Sequence, residues 1–142
     1  MWWPWRKKAA AETDARHRAG RWGEKQAERH LRTKGWRILG RRVRVGRRDE
    51  IDLLARQGDT LVFVEVKTRK TEDFGPPASA VDQAKRHALS RAAIRYMDRL
   101  REKPEYFRFD VVEVVGEEGG SPPEIRHIEN AFPLDRSYRV TW

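Results

Sequence analysis

The 142-residue chain contains no cysteine, which excludes a disulfide framework and a thiolate metal centre and gives no sign of an oxidising compartment. No stretch approaches the roughly 20 consecutive apolar residues that a membrane-spanning helix needs. The opening residues, MWWPWRKK, lack the apolar run of a secretory signal, so a cytoplasmic protein without stable membrane insertion is expected. Internal repeats are missing, as are helix-turn-helix and zinc-finger patterns, and base-by-base reading of DNA has no module to rest on. The histidines His17, His30, His87 and His127 have no metal-ligand spacing relative to one another and read as structural or surface residues.

What the chain has in excess is positive charge in its first third. Residues 1–48 carry 16 Lys/Arg against 4 Asp/Glu, and the remaining residues carry 15 against 18, for a formal net charge of +9. Such asymmetry suits a polyanionic partner, because Lys and Arg that neutralise phosphates release counterions and drive binding irrespective of sequence. Nucleic acid is the leading candidate. The competing reading is a solvated basic surface that only keeps the protein soluble.

The length suits one domain with one core. Residues 1–12 hold three tryptophans and three basic residues with no sustained period and read as a flexible basic arm, leaving residues 13–142 as the domain. A helix is predicted over residues 13–34, where Ala27 and Leu31 recur at helical spacing and Gly35 supplies a stop. Strand-like runs follow at 36–45, 50–56 and 61–68. Asp73-Phe74-Gly75-Pro76-Pro77 reads as a loop. Ser79 then opens a second helix, with Asp82 placed as in a capping box and Val81, Ala84, Ala88, Ala92 and Tyr96 as its apolar stripe, ending at Lys103-Pro104. A strand over 107–112 and a short one over 124–127 complete an α/β chain with a central mixed β-sheet flanked by α-helices.

The chemistry concentrates in EIDLLARQGDTLVFVEVKTRK, residues 50–70. Gly58-Asp59 suits a two-residue hairpin turn, which pairs Gln57 with Thr60 and makes every cross-strand pair sum to 117. Asp52 then faces Glu65, Glu50 faces Lys67, and Leu54 faces Phe63. Alternation places these on one, chemical face and Ile51, Leu53, Val62, Val64 and Val66 on the other, core face. Directly opposed carboxylates, with Cβ atoms about 5 Å apart, are destabilising unless something compensates them. Mg²⁺, which takes oxygen ligands and keeps several waters, would compensate them. Lys67 would stand beside that ion and stabilise charge developing on a phosphate. A solvated sheet face with a Glu50–Lys67 pair is the alternative. Glu24 shares a helix face with Ala27 and Leu31, where a carboxylate needs a partner: either the metal or a nearby Arg or Lys.

Asp52, a hairpin, then Glu65-Val66-Lys67 resembles the PD-(D/E)XK signature of the restriction-endonuclease-like nucleases. The resemblance is closer still to the YraN family of small, uncharacterised, nuclease-like bacterial proteins. It is carried by Gly23-Glu24, Gly35-Trp36-Arg37-Ile38-Leu39, Glu50-Ile51-Asp52-Leu53-Leu54-Ala55, the Val62 to Arg69 run, Phe74-Gly75, Val81 with Lys85, Arg108-Phe109-Asp110-Val111-Val112 and His127-Ile128-Glu129-Asn130-Ala131-Phe132. It implies a restriction-endonuclease-like fold, Asp52 and Glu65 as metal ligands for Mg²⁺ or Mn²⁺, Lys67 as the catalytic lysine and Glu24 as an auxiliary ligand or positioning group. Glu50 and Lys85 are candidates for auxiliary roles. Two departures stand out: Asp49 where the family usually has Gly, adding an acid near the ion, and Arg42 where it usually has Asn.

Arg41, Arg42, Arg44, Arg47 and Arg48 lead into the Glu50 strand and are expected to line a phosphate groove. The reading is a metal-dependent endonuclease-like protein that hydrolyses phosphodiester bonds in DNA, structure-selective rather than sequence-specific, with a homodimer as the expected way to cut two strands. A non-catalytic nucleic-acid-binding protein that retains the fold is the rival, and the Trp-rich arm leaves a membrane or assembly partner as a third reading.

Overall fold

The computed structural model describes residues 4–71 and 81–142. The elements run α1 (Pro4–Thr33), β1 (Arg37–Val45), β2 (Asp49–Gln57), β3 (Thr60–Arg69), α2 (Gln83–Asp98), β4 (Tyr106–Val115) and β5 (Glu124–Phe132). The strands form one five-stranded sheet in sequence order, antiparallel throughout except for the parallel β3–β4 pair, which α2 connects. The mixed sheet with a helix on each face is compatible with the restriction-endonuclease-like fold. Among the described residues no helix is long and apolar enough to cross a membrane.

The hairpin register follows the sequence. Gly58 takes φ 59°, the left-handed turn conformation glycine adopts without strain. Gln57 pairs with Thr60 and Leu54 with Phe63. The division of the sheet into a core face and a chemical face is corrected, because both faces are apolar. Leu53, Val62, Val64 and Val66 pack with Ala27, Leu31 and Trp36 on the α1 side. Leu54, Leu61 and Phe63 pack with Leu89, Ala92, Ala93 and Met97 on the α2 side. A sheet covered by helices on both faces buries near-continuous apolar runs rather than alternating ones, so the acids occupy one end of the hairpin, not a whole face.

Both helices differ from expectation. Helical structure in α1 continues back through residues 4–12, which carry no apolar period. Residues 7–19 are exposed and only the later turns pack on the sheet. In α2, Asp82 is the N-cap itself, its Oδ1 accepting from the Lys85 N–H at 2.8 Å, a bond that satisfies one of the orphan amides of the first turn. The stripe holds in part: Val81 and Ala92 are buried as expected, Leu89, Ala93 and Met97 join them, and Ala84 is exposed. The helix closes at Arg99, and Lys103 Nζ donates to the carbonyls of Met97, Asp98 and Leu100. The Asp73–Pro77 loop and the Ser79 start lie outside the described residues. The fifth strand is longer than predicted, Glu124–Phe132.

α1 meets β3 where a glycine allows it. A Cβ built on Gly23 would lie 1.8 Å from Thr68 Oγ1 and 2.9 Å from Thr68 Cβ, whereas one on Gly20 meets nothing within 4 Å. The two glycines therefore predict opposite signs. Gly20→Ala should stabilise by about 0.5–1 kcal/mol through helix propensity. Gly23→Ala should destabilise by about 1–3 kcal/mol, because a β-branched side chain cannot rotate its own Cβ away. Paired urea melts test this, and a Gly23→Ala protein as stable as the parent would refute the close approach.

Candidate metal and nucleic-acid site

The site forms where the β2 ladder breaks. Regular β2–β3 pairing runs from Gln57–Thr60 to Leu53–Val64. One residue further, the Val66 N–H donates to Asp52 Oδ2 at 2.9 Å. On the other edge, the pairs Arg41–Leu53 and Val43–Ile51 flank Arg42 and Asp52, and Arg42 holds φ 45°, a left-handed conformation that suits Asn or Gly better than Arg. Alternation fails at the same point, since Ile51 and Leu54 both pack on the α2 side. The irregularity presents Asp52 towards Glu65 and α1 together.

Glu65 is 3% exposed. Its Oε1 lies 3.4 Å from Lys67 Nζ and 3.6 Å from Lys85 Nζ, while Oε2 is buried with no hydrogen-bond partner. Burial, with the Glu65 charge second, pushes the Asp52 carboxyl up to about 7, against the opposing Val66 N–H and Lys85 charge. Burial likewise raises Glu24, with Asp52 and Glu50 adding to the rise and the Arg42 hydrogen bond working against it. Two acids crowded this way, one with an orphaned oxygen, suit a hard divalent cation that would neutralise both. Asp52 and Glu65 would hold it, leaving the other positions to water and phosphate oxygens. Among the described residues no three carboxylates or imidazoles gather closely enough to hold an ion by themselves.

The remaining predicted residues divide. The partner Glu24 requires is Arg42, whose Nε donates to Glu24 Oε2 at 2.8 Å. Glu50 is exposed and, instead of pairing with Lys67, sits 3.9 Å from Arg44. Arg41 is bonded to Glu28. Arg47 and Arg48 occupy the β1–β2 turn. Asp49 does not join the acids: Arg91 of α2 clamps it through both carboxylate oxygens at 2.7 and 2.8 Å, which lowers its pKa. Lys85, which a solvated helix flank would account for, instead reaches Glu65 across layers. Glu24 lines two clefts, of about 680 Å³ beside Val66 and Thr68 and about 590 Å³ beside Leu53 and Arg42.

Sequence reasoning missed a second polar cluster. Asp110 is fully buried and accepts from Arg108 Nε at 2.9 Å, His127 Nε2 at 2.8 Å and the Asn130 N–H at 3.0 Å. A lone Asp in an apolar strand was the available signal, since a buried carboxylate demands partners.

Comparison with known proteins adds a family. Residues 23–114 match the model of a family described as "Uncharacterised protein family UPF0102". A UPF0102 protein of Symbiobacterium thermophilum is 47% identical over 117 residues, covering 81% of this chain and 96% of its own. One of Syntrophomonas wolfei is 45% identical over 116 residues, covering 80% and 96%. A third, of Geobacter metallireducens, is 42% identical over 112 residues, covering 79% and 89%.

Proposed function

The chain belongs to the uncharacterised protein family UPF0102, and from that premise we propose that it is a Mg²⁺- or Mn²⁺-dependent nuclease hydrolysing phosphodiester bonds in DNA. The observation that carries this reading is the Asp52–Glu65 pair, with Asp52 pushed up to about 7 and Glu65 Oε2 left without a partner. When bound, the ion supplies Lewis-acid polarisation of a phosphoryl oxygen and acidifies a coordinated water.

The protein's own groups do the rest. Asp52 and Glu65 hold the ion, and the Val66 N–H fixes the Asp52 carboxylate. Lys67, part-exposed at the rim and 3.4 Å from Glu65, presents an ammonium to the phosphate, where charge grows in the transition state. Lys85 adds a second ammonium from α2. Glu24 of α1, bonded to Arg42, is a positioning group beside Asp52.

The test is cleavage of linear, nicked, flapped and four-way DNA with Mg²⁺, Mn²⁺ or EDTA, comparing the parent with Lys67→Ala. Metal-dependent product reduced by roughly 10²-fold or more in the variant supports the assignment. Equal product from both refutes the site. The second reading, a nucleic-acid-binding protein without turnover, is favoured by one observation: Glu24 is already neutralised by Arg42, which leaves two acids for the ion. DNA binding by the parent with no product under any metal would establish it.

A further inference from the structure

We infer that the groove between α1 and β1 is the track for a nucleic-acid backbone, with Arg21, Lys25 and Arg29 as its phosphate contacts. This rests on the reading that the partner is nucleic acid, and it names the surface that holds it. Residues four apart on a helix share a face about 6 Å apart along the axis, a spacing comparable to that of neighbouring phosphates on one strand. Arg21, Lys25 and Arg29 form such a row on the wall of the 590 Å³ groove, facing Arg41 and Arg42.

The unbalanced positive charge of the groove lies on the helix. Arg41 and Arg42 are held by Glu28 and Glu24. Arg21, Lys25 and Arg29 are exposed, and none is in an ion pair among the described residues. The groove thus has three cations left over for a polyanion. The larger cleft on the other side of α1 has fewer: Arg16, Arg18 and Lys70 share it with Glu117 and Glu118, which leaves one, and Arg69 is bound to Glu113. Leu53 in the groove wall is the sequence neighbour of Asp52, and Glu24 in the same wall feels the Asp52 charge, so the row runs close to the acid pair.

The experiment is fluorescence anisotropy of labelled DNA, single-stranded and duplex, titrated with salt in EDTA so that no cleavage intervenes. Arg21→Gln/Lys25→Gln/Arg29→Gln is compared with Arg101→Gln/Arg136→Gln/Arg139→Gln, which removes equal charge from exposed positions elsewhere. The groove variant should bind about tenfold or more weakly at 0.1 M salt, with the log–log salt slope reduced by about 2–3, or 0.7–0.9 per lost phosphate contact. The control should keep the parent slope. Equal losses in both variants, or no DNA binding by the parent at low salt, would overturn the inference. Parent cleavage with undiminished binding by the groove variant refutes the track and leaves the nuclease standing. A groove-specific loss without any metal-dependent product confirms the track and refutes the nuclease.

Discussion

Glu65→Gln is expected to lower metal-dependent hydrolysis by roughly 10³-fold or more and, without divalent ions, to raise heat stability near neutral pH. Glutamine keeps the shape and removes the charge next to Asp52. In the parent the Asp52 carboxyl titrates at about 7 rather than its ordinary 3.8. Between those values the folded protein holds a proton the unfolded chain has released, so stability falls as pH rises through about 4 to 7. Relieving the Glu65 repulsion lowers the Asp52 pKa and recovers part of that loss. Against this stand the Lys67 and Lys85 contacts, both with part-exposed ammoniums, each worth about 0–1 kcal/mol. Like charges in a buried pair outweigh that, and a net gain of about 1–2 kcal/mol, or roughly 3–8 °C in Tm, is expected above pH 7.

His30, lowered by burial, gives the opposite slope below its ordinary value, but it is common to both proteins and cancels in the difference. Mn²⁺ should raise the Tm of the parent and leave the variant unmoved, because only a native-state ligand stabilises by mass action. A variant melting below the parent in EDTA at pH 8 would mean that the lysine contacts outweigh the repulsion, and the crowded-acid reading of this site would fail.

How far such a site can be read in advance depends on how local its causes are. The hairpin register that brings Asp52 close to Glu65 was legible because the turn at Gly58-Asp59 fixes it, and it holds as far as Leu53–Val64. The break in the ladder at Asp52 was not, since it arises with the left-handed backbone of Arg42 on a different strand. Glu24 could be seen to need a partner, but the choice between a metal and an arginine required the 2.8 Å bond to Arg42. Asp49, read as one more acid at the ion, turned out to be a clamp, because Arg91 lies 42 residues away in sequence.

The fold divides the same way. The strands themselves follow from runs of β-branched and aromatic residues, but the idea of a polar hairpin face failed because α2 covers it. The α2 stripe was legible in part: Val81 and Ala92 are buried and Tyr96 packs against the core as expected, but Leu89, Ala93 and Met97 share the buried face and Ala84 does not. β5 looked short because His127, Glu129 and Asn130 interrupt its apolar pattern. Among the described residues it is an edge strand, with one side free of pairing; His127 and the Asn130 backbone N–H serve Asp110, and Glu129 sits 3.7 Å from Arg108.

That service makes Asp110→Ala strongly destabilising, at about 3–5 kcal/mol, or roughly 10–20 °C in Tm. Lys34 Nζ lies 2.8 Å from His127 Nδ1 and can only donate, so Nδ1 accepts and Nε2 carries the proton that meets Asp110. Removing the carboxylate strands that N–H, the Arg108 guanidinium and the Asn130 N–H together. Arg108 keeps Gln57, and its guanidinium lies 5.2 Å from the Trp36 ring centre, which places the loss in the lower part of the range. Burial alone would raise the Asp110 carboxyl, but the bonds from His127, Arg108 and the Asn130 N–H hold it below its ordinary 3.8. Its contribution is therefore complete above that value and is lost as pH falls through the lower, folded one. Urea melts at pH 7 and pH 3 should show the gap between parent and variant narrowing in acid. A gap under 1 kcal/mol at pH 7 would mean that water or a neighbouring side chain takes over the three donors, and the cluster would then be a consequence of the β4–β5 pairing rather than one of its causes.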